Sequence, residues 1–268
     1  FDYLVPGCTD RSYKSCAIVS QGRFPGIESP DIEHGMHNKE KFRAIAEKLN
    51  LPVPETQNQN RKSLYYPVII KPVDSFSGRG ITVIKNRNKK LFDSAIELAR
   101  KNSATEEYLL EKFVSGELYS HSAFLKNKRA IKNFFVKEDS TVNSFVVDTS
   151  RVIFSPPPEM QRQIINAVEK LARYLRLKDG LIHSQFIWDG CNIHLIDRNR
   201  RIAGDLYSQL IELSTGHPYV ENYVRPFLDM PYKNIEDSDT RIPIMRHTVS
   251  VSKEQNFKHI SFKESLFL

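Results

Sequence analysis

The chain is poor in cysteine. Cys8, Cys16 and Cys191 are all it has in 268 residues, and their spacing suits neither a disulfide framework nor a zinc site. They read as reduced thiols in a cytoplasmic protein. No apolar run approaches the roughly 18 residues of a membrane span, and no secretory h-region opens the sequence. There is no G-x-x-x-x-G-K-[ST] phosphate loop, no G-x-G-x-x-G turn and no H-E-x-x-H metal motif. Internal repeats and low-complexity tracts are missing too. Collagen, coiled coil, porin and disulfide knot are thereby excluded. What remains is a globular composition, 40% apolar and 26% charged, long enough for one large domain or two modest ones.

Basic residues exceed acidic ones, 39 to 32, giving a net charge of +7 and a pI near 9.2. Such a balance invites a nucleic-acid reading, but the basic residues are dispersed. The densest stretch holds Lys126, Lys128, Arg129, Lys132 and Lys137, with Phe134 and Phe135 among them. It suits an edge hairpin with lysines in water, an electropositive wall for a small anion, or a nucleic-acid grip.

The chain opens on Phe1, and Phe1–Gly7 reads as the end of a buried strand, so we expect residues upstream. Asn38 caps a helix reaching Leu49, with Phe42, Ile45, Ala46 and Leu49 on one stripe. Gln57–Lys62 reads as a polar linker. Val68–Lys71 and Ile81–Ile84 read as strands flanking a Gly/Ser loop, followed by a helix over Leu91–Lys101. Tyr108–Val114 and Leu118–Phe124 read as strands around Ser115-Gly116. Ala130–Lys137 and Val142–Val147 suggest a hairpin, and Glu159–Arg176 a long amphipathic helix. Leu181–Ile187 and Asn192–Asp197 suggest a hairpin turned by Asp189-Gly190. Helices mixed with antiparallel hairpins indicate an α+β fold.

Three segments carry chemistry. In the first, Lys71 ends a strand and is followed by Ser75, Ser77, Gly78 and Gly80. Glycines let backbone N–H groups converge on phosphate oxygens, serines add donors, and Lys71 adds a point charge. A strand-end lysine facing a cleft is expected to pack little. In the second, the strand edge Glu111-Lys112-Phe113-Val114 could read an adenine ring, with Glu117 placed for ribose hydroxyls. In the third, Asp197 and Asn199 stand two apart, on one side of an extended chain, where both can meet one Mg²⁺. Arg201 shares that side and could hold a phosphoryl group or a carboxylate. Singly, each segment is equally a turn, a surface pair or a salt-bridged edge.

In this order and these strand contexts, the segments together resemble the ATP-grasp superfamily of carboxylate–amine ligases, biotin carboxylases and carbamoyl-phosphate synthetases. The resemblance covers about Asp2–Pro231. It implies two α+β lobes, a small flap lobe and a larger C-terminal lobe, clasping ATP. It divides the chain into the remnant of an N-terminal α/β domain (1–35), a linker helix and small lobe (36–115), a large lobe (116–231) and an extension (232–268). Lys39 resembles the family's first phosphate-contacting lysine and Lys71 the second, with Ser75–Gly80 as the flap. Glu111–Val114 resembles the adenine-reading hinge and Glu117 the ribose carboxylate. Asp197 and Asn199 match the metal pair, and Arg201 the catalytic arginine.

The implied function is an ADP-forming ligase that activates a carboxylate as an acylphosphate for attack by an amine. The implied cofactors are ATP and Mg²⁺, with Mn²⁺ as an alternative ion. Small-molecule carboxylates and amines are the implied partners, with room for a homo-oligomer and no role for a membrane or nucleic acid. Two departures motivate a second reading, a weakly active or non-catalytic ATP-binding module. Gln185 stands where many relatives carry a metal-binding glutamate, and the N-terminal domain is incomplete. Asp197 also replaces the usual Glu.

Overall fold

The computed structural model describes residues 2–57, 64–75, 78–236, 239–249, 256 and 258–259. Three helices come first: α1 (Asp10–Ser20), α2 (Pro30–His37) and α3 (Lys39–Lys48). Each begins at a side-chain cap, which satisfies an otherwise orphaned backbone donor. Thr9 accepts from the Ser12 N–H, Ser29 from Ile32 and Asn38 from Lys41.

Two antiparallel sheets follow. The small one has the order β2-β1-β3, built from β1 (Val68–Pro72), β2 (Thr82–Ile84) and β3 (Tyr108–Lys112). Helix α4 (Lys89–Lys101) covers one face, where Val68, Ile70, Leu110, Phe92, Ala95 and Ala99 make a compact core. The large sheet has the order β8-β7-β4-β5-β6-β9. Its strands are β4 (Glu117–Lys126), β5 (Arg129–Asp139), β6 (Thr149–Val152), β7 (Gly180–Trp188), β8 (Ile193–Asn199) and β9 (Met245–His247). This mixture of helices and antiparallel sheets is the α+β class expected. Helix α5 (Pro158–Tyr174) packs on one face of the large sheet, and Phe42 and Ala46 of α3 join the same core. Helices α1, α6 (Tyr207–Thr215) and α7 (Tyr219–Val224) cover part of the other face.

Two local expectations are corrected. Residues 2–7 form no strand; Leu4 packs on the second core, and the Pro6 carbonyl accepts from the Tyr223 hydroxyl at 3.0 Å. Residues 142–147 form turns instead of a hairpin strand. The Asp148 carboxylate draws the chain round by accepting from the Thr141 N–H at 2.7 Å and the Val142 N–H at 3.1 Å. Such side-chain bonds displace a ladder, and β5 pairs with β6 instead. The linker read over Gln57–Lys62 lies outside the described residues from Asn58 onward.

The register of β8 against β7 shifts by one residue. Gln185 pairs with Asp197, but the next residue, Phe186, pairs with Leu195, so Ile196 is an extra residue. A one-residue insertion transfers the rest of a strand to the other face. Leu195 therefore lies in the α5 core, while Asp197 and Asn199 share the opposite face with their cross-strand partners Gln185 and His183.

Candidate functional site

Lys71 and Glu111 occupy the face of the small sheet opposite α4, and α3 brings Arg43 against them. Glu111 is fully buried. Its carboxylate binds Lys71 Nζ at 2.5 Å and is also paired with Arg43 Nε. Lys71 is only 6% exposed, so it is packed rather than loosely presented. Burial lowers its pKa from 10.5 to about 8, against the upward pull of Glu111. Burial likewise tends to raise the Glu111 carboxyl, but Lys71 and Arg43 together hold it below its ordinary value.

Lys39 links this cluster to the loop after β1. Its backbone N–H donates to the Val73 carbonyl at 3.1 Å, and its Nζ donates to the Ser75 carbonyl at 2.8 Å. Burial lowers the Lys39 pKa, and Asp197 is the strongest influence opposing that. Ser75 Oγ donates to the Arg79 carbonyl at 3.2 Å. Gly78 and Gly80 both have positive φ, the left-handed region that favours glycine. A Cβ on Gly78 would come within 2.5 Å of the Phe145 carbonyl oxygen, so the loop touches the large sheet's 140–148 segment there. Ser77 lies outside the described residues.

The large sheet supplies the other wall. Asp197 keeps 44% of its side chain open to solvent. Burial in the concavity tends to raise its carboxyl, but Lys39, Arg198 and His37 override that and lower it. Gln185 is half-buried, and its Nε2 donates to Glu138 Oε2 at 2.7 Å. An amide nitrogen so engaged leaves its oxygen for another partner. Asn199, Gln185 and Asp197 thus bring two amide oxygens and a carboxylate together from adjacent strands, the Asn199 oxygen also accepting from the Arg201 N–H at 3.4 Å. That all-oxygen donor set suits Mg²⁺, but it carries one charge. Among the described residues, no group of three or more His, Cys, Asp or Glu could hold a metal ion.

Arg201 donates through Nε to Asp10 of α1 at 2.5 Å and through Nη1 to the Ile202 carbonyl at 3.1 Å. Asp197 also acts on it electrostatically. Lys39, Lys71, Asp197, Asn199, Gln185 and Arg201 thus line one region. Glu117 does not join it. Strand alternation places Glu117 with Tyr119 on the far face of β4 from Ser120, where Lys137 and the Tyr119 hydroxyl bind its carboxylate. Those two hydrogen bonds lower its pKa. The Glu111–Val114 segment joins the two sheets. Glu111 turns its side chain inward, Lys112 is exposed, and Phe113 and Val114 are half-buried. The basic stretch forms no common stripe: Lys132 Nζ donates to the Glu236 carbonyl, Arg129 pairs with Glu169, and Lys137 turns to Glu117.

Sequence reasoning missed two arginines here. Arg198, 1% exposed, stacks over the Phe42 ring at 3.5 Å from its centroid and donates to the Asn38 carbonyl at 3.3 Å. Burial lowers its pKa to about 9. Arg198 Nε and Nη1, and both terminal nitrogens of Arg43, are buried without a hydrogen-bond partner. Arg198 stood in plain view beside Asp197. Alternation places its backbone position opposite those of Asp197 and Asn199, although Nη1 still comes within 3.9 Å of the Asp197 carboxylate, and nothing in the sequence marks the Phe42 ring it meets.

Comparison with known proteins bears on the family and the fold. The family model described as an ATP-grasp domain matches residues 64–209. The chain is 22% identical over 224 residues to the carbamoyl phosphate synthase large chain of Clostridium acetobutylicum, covering 79% of this chain and a fifth of that one. Among solved structures, the L-amino acid ligase of Bacillus licheniformis superposes with a TM-score of 0.75 at 17% identity, over 97% of this chain and 64% of that one. The biotin carboxylase domain of Hydrogenobacter thermophilus 2-oxoglutarate carboxylase, solved with ADP and magnesium, gives 0.67 at 17% identity, over 87% and 53%. The chain therefore spans less than two thirds of each of these relatives. The family match takes in more than half of its 268 residues, and on that ground the chain belongs to the ATP-grasp family.

Proposed function

We propose that the cleft binds ATP with a divalent cation, and that the protein consumes ATP to join a carboxylate to an amine, releasing ADP. One observation carries this reading. Among the described residues, Lys39, Lys71, Arg43 and Arg198 gather about Glu111 and Asp197, and Arg43 and Arg198 keep buried nitrogens without a hydrogen-bond partner. Buried charge without a partner is costly, and a polyphosphate supplies what is missing.

In this reading Lys39 and Lys71 meet the phosphates, and the Ser75–Gly80 loop closes over them. The backbone of Glu111–Val114 borders the adenine. Asp197, Asn199 and Gln185 hold the cation, which when bound neutralises phosphate charge. Arg201 steadies the phosphoryl group passing to the carboxylate. The resulting acylphosphate has phosphate as its leaving group, which the free carboxylate lacks, and closure keeps it from water. Glu117 has no part in this reading, since Lys137 already holds it.

The test is carboxylate-dependent ADP formation. Protein, ATP and Mg²⁺ are incubated with panels of carboxylic and amino acids, and ADP and ligated product are measured together. ADP and product that appear only with an acid support the ligase. Nucleotide binding without acid-dependent ADP supports the binding module that Gln185 suggests, and no nucleotide binding refutes both.

Two further results are expected. Lys71 favours phosphate only when protonated, so nucleotide affinity should fall as pH rises through about 8. The sign for stability is opposite. The folded pKa lies below the unfolded one, so the ligand-free protein should gain stability from this group between about pH 8 and 10.5. Titrations and melts across that range check both. The second concerns Gln185. Gln185→Glu would set a carboxylate against Glu138, in place of the present hydrogen bond. The variant should melt below the parent without Mg²⁺-nucleotide and recover with it. The double variant Gln185→Glu/Glu138→Gln should restore the metal-free melting temperature.

A further inference from the structure

At the end of the large sheet away from the cation donors lies a cavity of about 640 Å³. Lys126 closes β4 there, and Gly180 opens β7 five residues before Gln185, so roughly 17 Å of strand separates the two places. The loop from α1 to α2, the β4–β5 turn, the loop from α5 to β7 and the segment 226–232 meet around it. They bring five cations to its wall: Arg23, Lys126, Lys128, Arg176 and Lys178. Lys178 is held by the Gly22 and Phe24 carbonyls, at 2.8 and 2.9 Å, and Arg23 gives its Nε to the Ser20 carbonyl at 3.3 Å. No hydrogen bond or ion pair engages the side chains of Lys126, Lys128 and Arg176 among the described residues. Two acids share the wall. Asp179 already accepts from the Asn127 N–H at 2.8 Å, which ties the β4–β5 turn to the α5–β7 loop, and Asp229 is the other.

Two of these cations sit where the backbone favours glycine. Helix α5 closes with the Leu177 N–H on the Ala172 carbonyl at 2.9 Å and the Arg176 N–H on that of Arg173 at 3.3 Å. That closure needs one left-handed residue, usually glycine, and here it is Arg176, with φ of 54°. The β4–β5 turn takes positive φ at both its residues, Asn127 at 50° and Lys128 at 62°, and glycine is again the favoured second residue. A side chain is disfavoured in that region, and Arg173 already supplies the cation that the end of α5 prefers. Folding therefore does not account for the charge at either place. Phe24 and Tyr232, half-buried on the second core, give the cavity an apolar side together with Met230. We propose that the cavity is a ligand site separate from the nucleotide cleft. It takes a small phosphate ester, whose phosphate meets Lys126, Lys128 and Arg176 and whose organic part rests on Phe24, Met230 and Tyr232. The volume suits a small molecule. No basic track for a longer polyanion continues along β5, since Arg129 and Lys137 are paired with Glu169 and Glu117.

Fluorescence titration with 1-naphthyl phosphate tests this, on the protein with and without Mg²⁺ and a non-hydrolysable ATP analogue. The controls are 1-naphthol, inorganic phosphate and a short single-stranded oligonucleotide. The ester should bind at least tenfold more tightly than 1-naphthol or phosphate, and equally well with the cleft filled. Lys128→Gly and Arg176→Gly should each weaken it at least tenfold, melt no lower than the parent and leave the affinity for the ATP analogue unchanged. Lys126→Gln, at an exposed strand end, should weaken it in the same direction and decides the matter if a glycine variant folds poorly. No binding of the ester, or binding lost when the cleft is filled, would overturn the proposal. So would undiminished binding in all three variants, equal binding of 1-naphthol, or an oligonucleotide that binds more tightly through the same residues. Failure of the ATP analogue to bind would count against the cleft alone, and the nucleotide-free titrations of parent and variants would still decide the cavity.

Discussion

Glu111→Gln should lower the stability of the ligand-free protein by about 3–5 kcal/mol, whereas Lys71→Met should not lower it at all. The two residues are bonded to each other at 2.5 Å and are almost equally buried, so packing alone would rank them alike. Charge separates them. Glu111 is the acid between two cations, Lys71 and Arg43, and its loss leaves both uncompensated. Removing Lys71 leaves Arg43 and Glu111 as a balanced pair, and also removes an ammonium that the ligand-free fold disfavours, as its depressed pKa records. Nucleotide affinity should behave the other way. Lys71→Met gives up a charge-assisted bond of about 1.5–3 kcal/mol, or roughly one to two orders of magnitude in Kd. Urea unfolding and nucleotide titration of both variants would show this crossing. A Lys71→Met protein that loses stability yet binds nucleotide normally would make Lys71 purely structural.

Arg201→Lys should reduce turnover by on the order of 10²–10³, with nucleotide affinity nearly unchanged. Arg201 keeps Nη2 for a carboxylate or phosphoryl group while Asp10 and the Ile202 carbonyl hold the rest of its plane, whereas lysine offers a single, unfixed point charge. The Asp10 contact sharpens the expectation, because it is made by Nε and so fixes the plane of the guanidinium. Lysine has no equivalent atom there. Asp10→Asn keeps the arginine but weakens the bond that orients it, so its turnover should fall between those of the parent and Arg201→Lys. Steady-state kcat and KM, with nucleotide affinity measured separately, check the pattern. An Arg201→Lys enzyme with normal turnover would reduce the pair to a surface-type contact between α1 and the segment that follows β8.

Much of the arrangement was legible because its signals are local. Asn38 announces α3 through its cap, the turn at Asp189-Gly190 sets β7 against β8, and the spacing of Asp197 and Asn199 puts them on one face. What stayed hidden depends on the third dimension. Leu195 and Asp197 have the same spacing yet face opposite ways, because Ile196 is bulged and only the partner strand reveals it. Arg43 follows Phe42 on an apparently amphipathic helix, and its burial is set by Glu111, 68 residues on. The false strand at 142–147 had suitable apolar residues, but Asp148 and its hydrogen bonds decide the backbone there. Helix α2 was available from Ser29-Pro30, a cap followed by proline in the first turn, but Gly35 within its eight residues obscures it.

The bonds that fasten the N-terminal helical segment to the region of β7 and β8 join residues very far apart in the chain. Arg201 meets Asp10 across 191 residues, Arg198 meets Asn38 across 160, and Lys178 meets Glu28 across 150. The β4–β5 hairpin, by contrast, closes through a turn of two residues, Asn127 and Lys128. Closing a longer loop costs more chain entropy before any contact repays it. Hairpins of the large sheet are therefore expected to form ahead of these contacts, in which the opening helical segment meets residues some 150–190 positions later. Detachment of that segment should accordingly be among the cheaper excursions of the native protein, with α1 and α2 exchanging their amide hydrogens sooner than β4, β5 and β7.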